Sequence, residues 1–155
     1  MNKSVDRNRS AEEIAVRARQ VIEMELRALE TLKEQLNADI TTIVDLMLNC
    51  EGHVLVAGAG TSRAIAQRFA HLLACCGTPA LFISAADAIH GGAGAVGSRD
   101  VVYVISKGGK SSEINKFAQI ARDRGAKIIA HTEDPESPLA KLCDAAYFVK
   151  APEGV

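Results

Sequence analysis

His53-Val54-Leu55-Val56-Ala57 runs straight into Gly58-Ala59-Gly60-Thr61-Ser62, and this junction decides the fold. Five residues of apolar, β-prone character end at two glycines and two hydroxyl side chains. The chain then takes up helical spacing at Ile65, Phe69, Leu72, Leu73 and Cys76. That order is strand, glycine turn, helix. Glycines permit positive φ and close backbone approach, and the first N–H groups of a helix have no partner within it. Such a turn is suited to holding an anion.

The pattern repeats downstream. Val101-Val102-Tyr103-Val104-Ile105 is a continuous apolar run, the mark of a strand buried on both faces. It leads into Ser106-Lys107-Gly108-Gly109-Lys110-Ser111-Ser112-Glu113, then into a helix over 111–124 carrying Ile114, Phe117, Ala118 and Ala121. Three further strands are predicted at 80–83, 127–130 and 145–149. Gly77-Thr78-Pro79 stops the helix before the first of them, and Gly125 the helix before the second. Ala85 to His90 is expected to form a helical turn, Gly91 to Gly94 a flexible loop, and Ser137-Pro138 the start of a short helix. Strands alternating with helices make an α/β fold with right-handed crossovers. The expected form is a three-layer sandwich around a five-stranded parallel flavodoxin-like sheet of order 2-1-3-4-5. Its switch point then lies between strands 1 and 3, the two followed by glycine turns.

Ahead of this unit, residues 1–9 are expected to be a disordered tail and 10–155 one domain. Ser10-Ala11-Glu12-Glu13 reads as a capping box, and Ile14, Ala18, Val21, Ala28, Leu29, Leu32 and Leu36 form one helical stripe. A narrow stripe on a long helix calls for a covering surface, and packing against another subunit is the expectation. Asp39 is expected to cap a second helix carrying Ile40, Ile43, Val44 and Met47.

The 155 residues are 48% apolar and 24% charged with a net charge of −1, which offers nothing to a nucleic-acid backbone. No run is long enough to cross a membrane, and Met1 to Ser10 lacks the apolar core of a signal peptide. The expected location is the cytoplasm. Cys50, Cys75, Cys76 and Cys143 lie in or beside apolar segments and make no zinc-ligand spacing, so they are read as small buried hydrophobes with no metal.

The two turns limit the ligand. A dinucleotide fingerprint fails because Arg63 stands at the third glycine position and Ser84, not an acid, ends the second strand. A single phosphate fits better. Ser106, Ser111 and Ser112 offer hydroxyls, the helix N-terminus offers N–H groups, and Lys107 and Lys110 add charge. His90 and Glu113 are the acid–base candidates, while His53, His71 and His131 read as structural.

Residues from about 45 to 153 resemble the sugar isomerase (SIS) domain family. The first motif matches at Gly58, Gly60 and Ser62. The family's phosphate motif, Ser-x-Ser-Gly-x-Thr/Ser-x-Glu, matches at Ser106, Gly109, Ser111 and Glu113, with Gly108 in place of the second serine. Gly77-Thr78-Pro79, Ala88-Ile89-His90-Gly91 and Glu136-Ser137-Pro138-Leu139-Ala140 most resemble its arabinose 5-phosphate isomerases, in which a lysine stands where this chain has Thr61. The resemblance implies a cofactor-independent aldose–ketose isomerase acting on a phosphosugar. It implies catalytic roles for Glu113, His90 and Glu153, and a binding set of Gly58, Gly60, Thr61, Ser62, Ser106, Lys107, Gly109, Ser111 and Ser112. A homodimer or homotetramer is expected. The alternatives are a 6-phospho-3-hexuloisomerase and a non-catalytic phosphosugar sensor.

Overall fold

In a computed structural model, which describes residues 10–150, the run Val101–Ile105 is the central strand of a five-stranded parallel sheet. The strands are β1 (Val54–Gly58), β2 (Ala80–Phe82), β3 (Val101–Ile105), β4 (Lys127–Thr132) and β5 (Ala145–Phe148), in the expected order β2-β1-β3-β4-β5. The alternation that a strand imposes sends Leu55, Ala57, Val102, Val104, Ile128 and Ala130 to one face. There they meet Ile114, Phe117, Ala118 and Ala121 of helix α5 (Ser112–Asp123), all fully buried. On the other face Phe69 packs edge-on against Tyr103, with ring centroids 5.0 Å apart.

The chain divides into two units, the N-terminal helix and residues 36–150. Helix α1 (Ala11–Gln35) begins with the expected capping box. Ser10 N–H donates to Glu13 Oε2 at 2.7 Å, and Glu13 N–H to Ser10 Oγ at 3.2 Å. No residue of α1 is buried, and Ile14, Val21 and Leu29 are exposed. The expected tail at 1–9 lies outside the described residues.

Several expectations are corrected within the α/β unit. Helix α2 (Asp39–Leu48) takes Ala38 as its N-cap, and Asp39 is already inside the helix. The side chain of Asn37 accepts the Asp39 N–H instead, at 2.9 Å. On α3 (Thr61–Cys75) the buried stripe is Ala66 and Ala70, while Ile65 is 60% and Leu72 43% exposed. Two alanines let the helix lie close on the sheet, and Ile65 and Leu72 are turned outward. The same rotation leaves Cys75 and Cys76 exposed rather than buried, and Cys50 and Cys143 are only half-buried. The glycine run after helix α4 (Ala85–Ile89) forms a 3-10 turn over Gly92–Ala95 that buries Ala93, not a loose loop. Helix α6 (Pro138–Leu142) starts as expected, with Ser137 Oγ accepting from Ala140 N–H at 3.2 Å.

Candidate anion site at the switch point

β1 and β3 are neighbours in parallel register, with Gly58 opposite Ile105. The turns that follow them therefore leave the same end of the sheet side by side. That end is where open α/β sheets bind ligands.

The first turn needs its glycines for two different reasons. Gly58 is buried, and a Cβ there would come within 2.6 Å of the Ser62 carbonyl oxygen, so only glycine lets α3 start this close to β1. Gly60 stands in open space but holds φ +57° with ψ −131°, a positive-φ conformation outside the left-handed helical basin that costs other residues about 1–3 kcal/mol. Thr61 is exposed and Ser62 half-buried.

The second turn is braced from below. Gly109, at φ +59°, is pressed against Ser137, and its carbonyl accepts from Asn115 Nδ2 at 3.0 Å and Leu139 N–H at 3.3 Å. Lys107 O accepts from Glu133 N–H at 2.8 Å and from the Thr132 hydroxyl at 2.9 Å. Ser106 N–H donates to His131 O at 3.0 Å. The loop thus enters α5 at a fixed angle.

The helix starts differ in one respect that bears on ligand binding. Ser84 and Ser137 spend their hydroxyls on internal caps, accepting from Asp87 N–H and Ala140 N–H. Ser111, the N-cap of α5, makes no such bond, and Gly60, the N-cap of α3, has no side chain to make one. So the two helices that begin at the switch point lack a side-chain cap. Their leading N–H groups and the positive end of the helix dipole face the region an anion would occupy. Ser106 and Ser111 are half-buried beside it, and Ser112 and Glu113 are exposed on the first turn.

The lysines contribute less charge than the sequence implies. Lys107 pairs with Glu133 at 3.5 Å and Lys110 with Asp134 at 2.9 Å. The hydrogen bond from Lys110, with help from the Glu136 N–H, holds the Asp134 carboxyl below its ordinary range. Both lysines are exposed, so each pair is a solvent-screened surface contact, and a phosphate dianion can compete for them.

The acid–base candidates are less tightly gathered. Glu113 lies in the first turn of α5. His90 is exposed at the C-cap of α4, which packs against α5. Five helical residues put it roughly 7 Å along the helix from the strand ends. Glu153 lies outside the described residues. Sequence reasoning missed Asn115, whose Oδ1 is buried and has no partner among the described residues. Its only sequence signal is a polar residue beside the apolar stripe of α5. It also missed the row Tyr103–His131–Tyr147. Tyr103 OH lies 3.2 Å from His131 Nδ1, and the His131 and Tyr147 rings stand 5.6 Å apart. Burial, reinforced by Tyr147, pushes the Tyr103 phenol up to about 12, and burial lowers the His131 imidazole from its ordinary value. A separate cleft of about 380 Å³ opens at the amino ends of β3 and β4, beside Arg99 and Lys127. Asp100 in that cleft is engaged by the N–H groups of His53 and Gly97, which makes it a fastening of the fold.

Among the described residues no helix is long and apolar enough to cross a membrane. The chain is 37% identical over 127 residues to the arabinose 5-phosphate isomerase GutQ of Escherichia coli K12, covering 82% of this chain and 40% of that protein. It is 36% identical over 128 residues to the arabinose 5-phosphate isomerase KpsF of Escherichia coli, covering 82% and 39%. The chain thus spans about 40% of the length of these curated relatives. A protein of Escherichia coli CFT073, solved in complex with arabinose 5-phosphate, superposes with a TM-score of 0.88 at 27% identity, over 93% of this chain and 77% of that one. The SIS domain profile matches residues 47–155, which take in both glycine turns and every strand of the sheet, and the chain belongs to the SIS domain family.

Proposed function

We propose that the protein is a phosphosugar aldose–ketose isomerase that interconverts D-arabinose 5-phosphate and D-ribulose 5-phosphate without a cofactor. The observation that carries this reading is the pair of helix starts without side-chain caps, α3 and α5, at adjacent strand ends aligned by the Gly58–Ile105 register. Its chemical identity comes from the relatives, two of which are named arabinose 5-phosphate isomerases.

In this reading the phosphate sits on the N-terminus of α5. Ser106, Ser111 and Ser112 donate hydroxyls, and Gly109 supplies the backbone geometry. Lys107 exchanges Glu133 for the phosphate. The sugar extends toward Gly58, Gly60, Thr61 and Ser62. Binding energy from the anchored phosphate, remote from the reacting carbons, orients C1 and C2 for proton transfer. Isomerisation removes the proton at C2 of the aldose, forms an enediol and returns the proton to C1. Glu113 is the base in this assignment, with His90 and Glu153 as the groups that shuttle protons on the oxygens. The protein works in the cytoplasm as a homodimer or homotetramer. The apolar side chains exposed on α1 and at Ile65 and Leu72 of α3 support a covered surface.

Incubation with D-arabinose 5-phosphate in deuterated water tests the reading. Deuterium incorporation and appearance of D-ribulose 5-phosphate are expected. Binding of the sugar phosphate without exchange would instead favour a non-catalytic sensor, the reading that Thr61 and Gly108 support at positions where the isomerases carry lysine and serine.

A further inference from the structure

Helix α3 carries on its outward face a pair of side chains that the phosphosugar reading does not use. His71 and Cys75 are four residues apart, so they project side by side from successive turns. Both are exposed, and by helical angle they lie opposite Ala66 and Ala70, the residues that α3 buries. Cys75 Sγ stands 3.5 Å from His71 Nε2.

That separation has a chemical meaning. A tetrahedral zinc ion bound at about 2.3 Å to sulfur and about 2.05 Å to nitrogen holds those two atoms roughly 3.6 Å apart. The same bonds at the right angle of an octahedral site would bring them to roughly 3.1 Å. The pair already has the donor spacing of a tetrahedral ion, on a regular stretch of helix. Thiolate and imidazole together select zinc-like ions over magnesium or calcium, which take oxygen ligands.

We propose that His71 and Cys75 form a two-ligand surface site for a thiophilic divalent cation of the zinc class. The remaining tetrahedral positions go to water or to donors from another molecule. Binding is ligand exchange without redox change. The Cys75 thiol releases its proton to solvent, the thiolate takes the metal, and the neutral imidazole donates its lone pair. Among the described residues no three or more His, Cys, Asp or Glu gather in a metal-holding group, so affinity rests on the pair and falls well below that of a closed four-ligand site.

The test is titration of the full chain with Co²⁺ under a phosphine reductant, reading the thiolate-to-cobalt charge-transfer band, followed by displacement with Zn²⁺. The band is expected in the unmodified protein and in Cys76→Ser, whose thiol is also exposed but unpaired with His71. It should vanish in Cys75→Ser. His71→Ala should weaken Co²⁺ binding at least about tenfold, the smallest effect that loss of even an outer partner produces. These are exposed positions, and melting in the presence of chelator should be unchanged in all three variants. A band that survives Cys75→Ser, or Co²⁺ affinity unmoved by His71→Ala, overturns the proposal. Neither readout depends on whether the protein turns over a sugar.

Discussion

Ser111 and Ser137 are both helix N-caps, yet their hydroxyls are used in opposite ways, and exchanging each for alanine separates binding from stability. Ser137 is fully buried and accepts from Ala140 N–H at 3.2 Å, so Ser137→Ala removes a working cap. The typical cost is about 1 kcal/mol, within a range of roughly 0.5–2. In a chain of this size that lowers the melting temperature by roughly 3–4 °C. Ser111 makes no side-chain cap bond, so Ser111→Ala should cost only a few tenths of a kcal/mol, with a melting shift of about 1 °C. The order reverses for the ligand. A hydroxyl donating to a phosphate dianion contributes about 1.5–3 kcal/mol, so Ser111→Ala should weaken D-arabinose 5-phosphate binding at least about tenfold. Ser137→Ala, which reaches the turn only through Gly109, should change affinity by less than about threefold at a temperature where it is folded. Differential scanning calorimetry and isothermal titration on the same three preparations give both columns. Equal affinity for Ser111→Ala and the unmodified protein would move the phosphate away from α5. A larger melting shift in Ser111→Ala than in Ser137→Ala would mean that the hydroxyl caps the helix after all.

Glu113→Gln should abolish most isomerase turnover while sugar-phosphate affinity stays within a few-fold, because general acid–base catalysis contributes about 10²–10⁴ in rate; His90→Gln should match it only if histidine is the base, and full activity in both variants would remove both assignments. Gly109→Ala should destabilise the fold by at least about 2 kcal/mol, combining the positive-φ cost with a collision against the Ser137 side chain, and a denaturant midpoint equal to that of the unmodified protein would contradict the turn geometry. Removing residues 1–36 should weaken assembly or cause aggregation, as judged by light scattering, whereas a soluble and equally stable monomer would show that α1 covers nothing. Burial lowers the His131 pKa, so as pH falls through the ordinary imidazole value of about 6.5 the unfolded chain takes up a proton that the folded His131 does not. Stability is therefore full above that pH and declines below it, and His131→Leu should flatten the decline between pH 7.5 and 5.5 in urea melts.

The sheet was legible because its signal is redundant. Five apolar runs, each bounded by glycine, proline or a change of period, leave few alternatives, and parallel crossovers then restrict the order. The switch-point turns were legible for a related reason. Glycine at 58, 60 and 109 and serine at 106 and 111 are the residue types that a strained, hydroxyl-lined loop requires. The bracing of those turns was not legible, because it depends on partners far along the chain. Nothing in the sequence ties Lys107 to Glu133, Lys110 to Asp134 or Thr132 to the Lys107 carbonyl, since those pairs exist only once β3 and β4 lie side by side.

Helix α3 marks a different limit. Apolar spacing proposes Ile65, Phe69, Leu72, Leu73 and Cys76 as its buried stripe, but the helix presents Ala66 and Ala70 to the sheet. Periodicity reports that one face is apolar, and it locates that face only to within about one residue, or 100° of rotation. Side-chain volume decides within that margin. Alanine contact shortens the distance between helix and sheet, and this brings more of the backbone and of the flanking Phe69 and Leu73 into contact than an isoleucine at the seam would allow. The rotation has a chemical consequence, because it takes Cys76 out of the buried stripe and turns Cys75, at its flank, fully away from the sheet. Cys75 leaves the interior, where it would be inert, and comes to rest 3.5 Å from an exposed imidazole. One turn of packing preference, set by two alanines, thereby converts a thiol that composition assigns to the core into one available for coordination.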